Sequence, residues 1–117
     1  MVNSRAKGAR GERELANKLK EHGFEARRGQ QFCGSNGDPD VVCTELNDYH
    51  IECKVVQALN IDKAMAQSLN DCHDKTPICV HRKNHKSWLV TMFLEDWLAL
   101  VKANLGQTLN LNKDQTK

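Results

Sequence analysis

Asp38-Pro39-Asp40-Val41-Val42-Cys43-Thr44-Glu45-Leu46-Asn47-Asp48-Tyr49-His50-Ile51-Glu52-Cys53-Lys54 decides the architecture of this 117-residue chain. Two runs rich in β-branched and other apolar residues flank Leu46-Asn47-Asp48, a tripeptide suited to a hairpin turn. One strand is expected from Asp38 to Glu45 and its partner from Tyr49 to Val56. Residues two apart on a strand share a face, so Glu52 and Lys54 point the same way. A three-residue turn sets Glu45 opposite Tyr49, Val42 opposite Glu52 and Asp40 opposite Lys54, which gathers Asp40, Val42, Glu52 and Lys54 on one face. A two-residue turn shifts the register by one and sends Asp40 to the other face, so a site built here makes a definite demand on the hairpin.

Upstream, Ser4 to His22 is rich in helix formers, with Ala9, Glu12, Leu15, Ala16 and Leu19 at helical spacing and Gly23 as the stop. Phe24 to Gln30 is a short strand, followed by the turn-rich loop Phe32-Cys33-Gly34-Ser35-Asn36-Gly37. Downstream, Asn60 caps a second helix whose apolar stripe is Ile61, Ala64, Met65, Leu69 and Cys72, and Pro77 closes that region. Strands over Ile78 to Arg82 and Ser87 to Met92 are joined by a basic turn. A third helix over Phe93 to Lys102 repeats apolar residues at Leu94, Trp97, Leu98 and Val101. Past Gly106 the chain is polar and expected to be loosely ordered, which gives one domain over 1–106 and a tail over 107–117. The order α-β-β-β-α-β-β-α describes an α/β protein with a mixed sheet flanked by helices.

Composition narrows the function. With 39% hydrophobic and 27% charged residues, the chain can bury one core without disulfide staples. Its five cysteines include no Cys-x-x-Cys, and Arg82-Lys83-Asn84 between His81 and His85 is a turn, so neither a disulfide framework nor a zinc site is indicated. No apolar run is long enough for a membrane span, and Met1-Val2-Asn3-Ser4-Arg5-Ala6-Lys7 is unlike a signal peptide, so an intracellular protein with no membrane partner is expected. The net charge of +2 conceals a pattern. Residues 1–31 hold eight basic and four acidic side chains, residues 32–80 three and eight, and residues 81–117 six and three. An acidic centre between basic ends suits a polyanion-binding protein with a cation pocket.

Glu52-Cys53-Lys54 alone carries little weight, because a chain of this composition supplies about one acid-x-Lys by chance. Its context adds Asp40 across the hairpin and Glu12, which lies on the apolar side of the first helix. Three carboxylates against one lysine leave excess negative charge, and a divalent cation such as Mg²⁺ or Mn²⁺, held by carboxylates and water, resolves it. In that arrangement Asp40 and Glu52 hold the metal, the Cys53 carbonyl supplies a further oxygen and Lys54 positions or activates the nucleophile. Phosphodiester hydrolysis is the reaction class such an assembly serves. Arg5, Lys7, Arg10, Arg27 and Arg28, with Arg82, Lys83 and Lys86 on the later turn, are the residues expected to track DNA phosphates. Few aromatics are available for stacking on single-stranded bases, so duplex shape is the expected cue.

Pro39-Asp40 followed by Glu52-x-Lys54 on paired strands resembles the active-site signature of the PD-(D/E)XK nuclease superfamily. The opening Ala6-Lys7-Gly8-Ala9-Arg10-Gly11-Glu12-Arg13-Glu14-Leu15, with Leu19, Glu21-His22-Gly23-Phe24 and Arg27-Arg28, is similar to the start of the archaeal-type Holliday junction resolvases. The resemblance spans roughly residues 5 to 92. It implies a restriction-endonuclease-like fold and a Mg²⁺-dependent homodimer in which each subunit cuts one of two opposed strands at a four-way DNA junction. It further implies Glu12, Asp40, Glu52 and Lys54 as the catalytic set, Arg10 as a DNA contact, Ser35 as a loop residue of the site and Gln67 as an accessory residue on the second helix. Cys53 stands where a branched aliphatic is more usual, and Asp38-Pro39-Asp40 is fuller than in many archaeal members, which points to a phage or bacterial branch. The same core also serves nucleases of flaps, nicks and duplex DNA, and a module that binds DNA without cutting is a further alternative.

Overall fold

The computed structural model describes the backbone of residues 4–29 and 39–115 and the side chains of 6–29 and 39–106. Helix α1 (Ser4–Glu21) is followed by strands β1 (Ala26–Arg28), β2 (Val41–Cys43) and β3 (Tyr49–Val55). Helix α2 (Ile61–Asp71), strands β4 (Thr76–Arg82) and β5 (Leu89–Met92), and helix α3 (Leu94–Gln115) complete the chain. The element order and mixed α/β class match the sequence expectation. One sheet runs β1-β2-β3-β4-β5, antiparallel except for the parallel pair β3/β4. A parallel pair needs a crossover, and α2 supplies it.

The period of two in β3 divides its residues between two layers. Ile51 and Cys53 join Leu15, Ala16, Val41, Ile78 and Val80 in the core beneath α1. Cys79, paired with Glu52 in the β3/β4 register, packs instead with Ala64 and Met65 of α2. Gly23, at φ +89, ends α1 where expected: its N–H donates to Lys20 O and that of Phe24 to Leu19 O. Asn60 caps α2 by accepting from the Lys63 N–H at 3.0 Å.

Several expectations need correction. Val41 lies opposite Ile51, whereas a three-residue turn would set it opposite Cys53. Thr44 to Leu46 fold as a 3-10 turn instead of prolonging β2, and the Glu45 carboxylate pins that turn by accepting from the Glu25 N–H at 2.9 Å. The connection is therefore five residues, Thr44 to Asp48, and the register moves by two, which leaves the facing of the strand unchanged. Pro77 lies inside β4 rather than before it; β5 begins to pair only at Ile78, so the missing N–H falls at the strand's start. On α2, Ser68 is buried and Leu69 is exposed, because the Ser68 hydroxyl sits 3.3 Å from His50 O and 3.2 Å from Ile78 O, tying the helix to β3 and β4. Finally, α3 continues to Gln115 instead of stopping at Lys102 before a loose tail, since one glycine at 106 costs a helix only about 1 kcal/mol.

Candidate active site

Asp40 feels the charges of two further carboxylates, Glu52 and Glu12, and of one lysine, Lys54. Glu12, Asp40 and Glu52 are 8%, 8% and 4% exposed, although carboxylates seldom leave water without a partner. Glu12 arrives on α1 one residue after Gly11, where an added Cβ would approach Val55 Cγ2 to 2.9 Å. The missing side chain lets the helix lie close to β3. Asp40 is aimed by the main chain: its N–H donates to Ile51 O at 3.0 Å, and its Oδ2 accepts from the Cys53 N–H at 2.9 Å. Glu52 and Lys54 project from the same face of β3, with Lys54 beside His81 of β4.

The electrostatics show crowding. Burial, followed by the charge of Glu52, raises Asp40 from 3.8 to about 7; Glu12 pushes the same way, while the Cys53 N–H and Lys54 partly oppose them. Arg28 Nε meets Glu12 Oε1 at 3.0 Å and offsets part of the excess. Burial raises the Cys53 thiol and holds Cys79 at about 11, so both sulfurs remain protonated at neutral pH and are poor metal ligands. Oxygen chemistry is what this cluster offers. Asp40 and Glu52 offer the hard oxygen donors that a divalent cation of the Mg²⁺ or Mn²⁺ kind takes, and a cation there would offset the charges of Glu52 and Glu12 that, after burial, raise Asp40.

The other expected site residues fall into distinct settings. Arg10 and Arg27 are exposed and Lys7 half-buried, on α1 and β1. Lys83 and Lys86 are exposed on the β4–β5 turn, where with His81 and Arg82 they border a cavity of about 420 Å³ that includes Val56, Leu59 and Ile61. Two arginines have internal partners. Arg28 serves Glu12, and Arg82 pairs with Glu14 while its guanidinium lies 5.0 Å from the Trp88 ring centroid. Gln67 is on the exposed side of α2. Ser35, its loop and the side chain of Arg5 lie outside the described residues. The settings of His81 and Gly29 were not anticipated from the sequence. His81 contacts Thr91 Oγ1 at 2.8 Å, and burial lowers its pKa so that it is neutral beside Lys54. Gly29 abuts the Asp40 backbone, where its N–H donates to Asp40 O at 2.8 Å. A glycine at the end of a short strand gave no sign of the backbone contact with Asp40, and nothing local to His81 signalled Thr91 across the sheet.

The sequence profile described as archaeal Holliday junction resolvase (hjc) matches residues 3–105. The chain belongs to that family. As a member of the archaeal Holliday junction resolvase family it is a nuclease of the Holliday junction resolvase class, with branched DNA as the substrate and a divalent metal in the chemistry. Among solved structures it is similar in fold to Hjc of Archaeoglobus fulgidus, a Holliday junction resolvase from an archaeal hyperthermophile. The TM-score is 0.50 and the identity 21%, over 71% of this chain and 73% of that one. Comparison with curated proteins gives no match. No helix among the described residues is long and apolar enough to cross a membrane.

Proposed function

We propose that this resolvase is a Mg²⁺-dependent homodimer that cuts two opposed strands of a four-way junction inside the cell, with Glu12, Asp40, Glu52 and Lys54 as its catalytic set. The observation that carries this reading is the burial of three carboxylates, Glu12, Asp40 and Glu52, with Asp40 aimed by the Cys53 N–H and under the charges of the other two and of Lys54. Asp40 and Glu52 hold the cation, with the Cys53 carbonyl and Glu12 completing its surroundings. When bound, the cation supplies Lewis-acid polarisation of the scissile phosphate and acidifies a water. Lys54 orients the attacking water and faces the negative charge that develops on the phosphate. The Cys53 N–H fixes one Asp40 oxygen, and Arg28 holds Glu12 in its rotamer. Lys7, Arg10, Arg27, Lys83 and Lys86 bind the flanking phosphates, with Arg5 and Ser35 as further contacts, and Gln67 borders the site from α2.

The homodimer rests on two supports. Among the described residues one chain carries one such cluster, whereas two opposed cuts need two. Leu89 and Val90 of β5 and Leu94, Trp97, Leu98 and Leu105 of α3 are all exposed, and α3 makes few contacts with the rest of the described chain. An apolar surface of that extent is suited to a second copy.

The test incubates the protein with end-labelled four-way junction, flap and linear duplex DNA, with Mg²⁺ or with chelator, beside Glu52→Gln. Paired, symmetric, metal-dependent cuts confined to the junction are expected, and none from Glu52→Gln. Cutting of flaps or duplex at equal rates removes the junction preference, and no cutting in either metal leaves a DNA-binding module.

A further inference from the structure

His50 stands two residues before Glu52 on β3, a spacing that sets both side chains on one face of the strand. Their side chains are 2% and 5% exposed, and His50 Nε2 lies 3.3 Å from Glu52 Oε1. An ionised carboxylate has acceptors only, so against Glu52 in its metal-holding form Nε2 carries the hydrogen and donates it. That contact occupies one Glu52 oxygen and directs the other away from the imidazole.

The imidazole is itself hemmed in. The His50 carbonyl, with that of Ile78, receives the Ser68 hydroxyl from α2. Asp71, the last residue of α2, brings a carboxylate oxygen to within 4.8 Å of both a His50 ring nitrogen and a Glu52 oxygen. Asp71 Oδ1 in turn accepts from Asn70 Nδ2 at 3.2 Å. A strand interior that needed only volume would hold valine or isoleucine here, because a buried imidazole is costly unless it is hydrogen-bonded. Among the described residues, the one hydrogen bond of the His50 ring goes to the carboxylate on which the chemistry depends.

We propose that His50 is a positioning residue for the cleavage reaction: it fixes the Glu52 carboxylate in the rotamer that meets the cation, and Asp71 faces the imidazole from the end of α2. This rests on the reading of Glu52 as a metal-holding residue. Removing such an outer partner typically lowers metal affinity or activity 10- to 100-fold.

The experiment measures Mn²⁺ binding to the full chain by titration calorimetry, beside the Mn²⁺ dependence of junction cleavage and junction affinity in chelator. His50→Leu, which has no donor, is expected to weaken Mn²⁺ binding about 10-fold or more. The Mn²⁺ concentration for half-maximal cleavage should rise by a similar factor, with the rate at saturating Mn²⁺ and the junction affinity within a few-fold of wild type. His50→Gln, whose amide N–H can replace the donor, is expected to recover most of the loss. If His50→Leu does not fold, His50→Met fills the space without a donor and takes its place. Wild-type Mn²⁺ affinity in the donor-free variant, or an equal loss in the Gln and donor-free variants, overturns the proposal. Glu52→Gln separates the two readings: if it binds Mn²⁺ as wild type does, Glu52 is not a metal ligand, whereas its failure beside an unaffected His50→Leu overturns His50 alone.

Discussion

Gly29 and Asp40 meet backbone to backbone, the Gly29 N–H donating to Asp40 O at 2.8 Å, and a Cβ on Gly29 would overlap the Pro39 carbonyl oxygen. The obstacle is main chain, so no side-chain rotation can relieve it. Gly29→Ala should displace the Pro39-Asp40 segment, lowering stability by about 2 kcal/mol or more and cleavage at least about tenfold. Urea unfolding and single-turnover cleavage check both, and an alanine variant with wild-type values would show that this approach is loose.

Asp40 gives the metal-free protein a characteristic pH dependence. Its pKa is about 7 in the folded chain against an ordinary 3.8, so between these values the folded state keeps a proton that the unfolded state has released. That contribution favours the fold at low pH and is lost as pH rises through 7. In chelator, wild type should lose up to about 4 kcal/mol between pH 4 and pH 7.5 relative to Asp40→Asn, at about 1.4 kcal/mol per pKa unit. Added Mg²⁺ at pH 7.5 should restore much of the difference. Parallel thermal melts of the two proteins decide it, and identical pH profiles would show that Asp40 is not crowded.

Much of this was legible in the sequence because the signals were local. The period of two put Glu52 and Lys54 on one face, Gly23 marked the end of α1 and Asn60 the start of α2. The hairpin was harder. Continuity with Val41 and Val42 puts Glu45 in the strand, but its carboxylate accepts from the Glu25 N–H, a contact twenty residues away that pins Thr44 to Leu46 as a 3-10 turn. Ser68 deceived the hydrophobic pattern for the same kind of reason, since its burial is justified by two carbonyls on other strands. The partners of Arg28 and Arg82 were hidden too, because Glu12 and Glu14 reach them only after α1 has docked on the sheet.

Glu52→Gln and Lys54→Ala should each abolish cleavage while leaving junction affinity within several-fold of wild type. Both act at the reacting centre, and most DNA affinity comes from phosphate contacts elsewhere. Gel-shift titration in chelator beside a cleavage assay measures both quantities. Loss of binding together with cutting would mean that these side chains hold the fold.

The basic residues should divide by their partners. Arg10 and Arg27 are exposed, so neutralising both should weaken junction binding and reduce the slope of log K against log[salt] by about one unit per lost contact. Arg28→Ala should leave the slope nearly unchanged and slow cleavage instead, because it frees Glu12. Binding isotherms at four salt concentrations separate the two effects; a slope that drops by a full unit in Arg28→Ala would make that residue a phosphate contact.

Trp97 and Leu98 test the dimer. They lie exposed on α3, which has little contact with the rest of the described chain, so a charge at Trp97 costs the isolated subunit little and a paired subunit much. Trp97→Glu should shift the protein to a monomer in sedimentation while its Tm at low concentration changes by only a few degrees. A plasmid carrying an extruded cruciform then reports on coordination, since two cuts within one complex give linear DNA and separate cuts give nicked circles. Wild type should produce mainly linear product and Trp97→Glu mainly nicks, with each nick still dependent on Glu52. Linear product from a proven monomer would place the second copy on another face of the molecule.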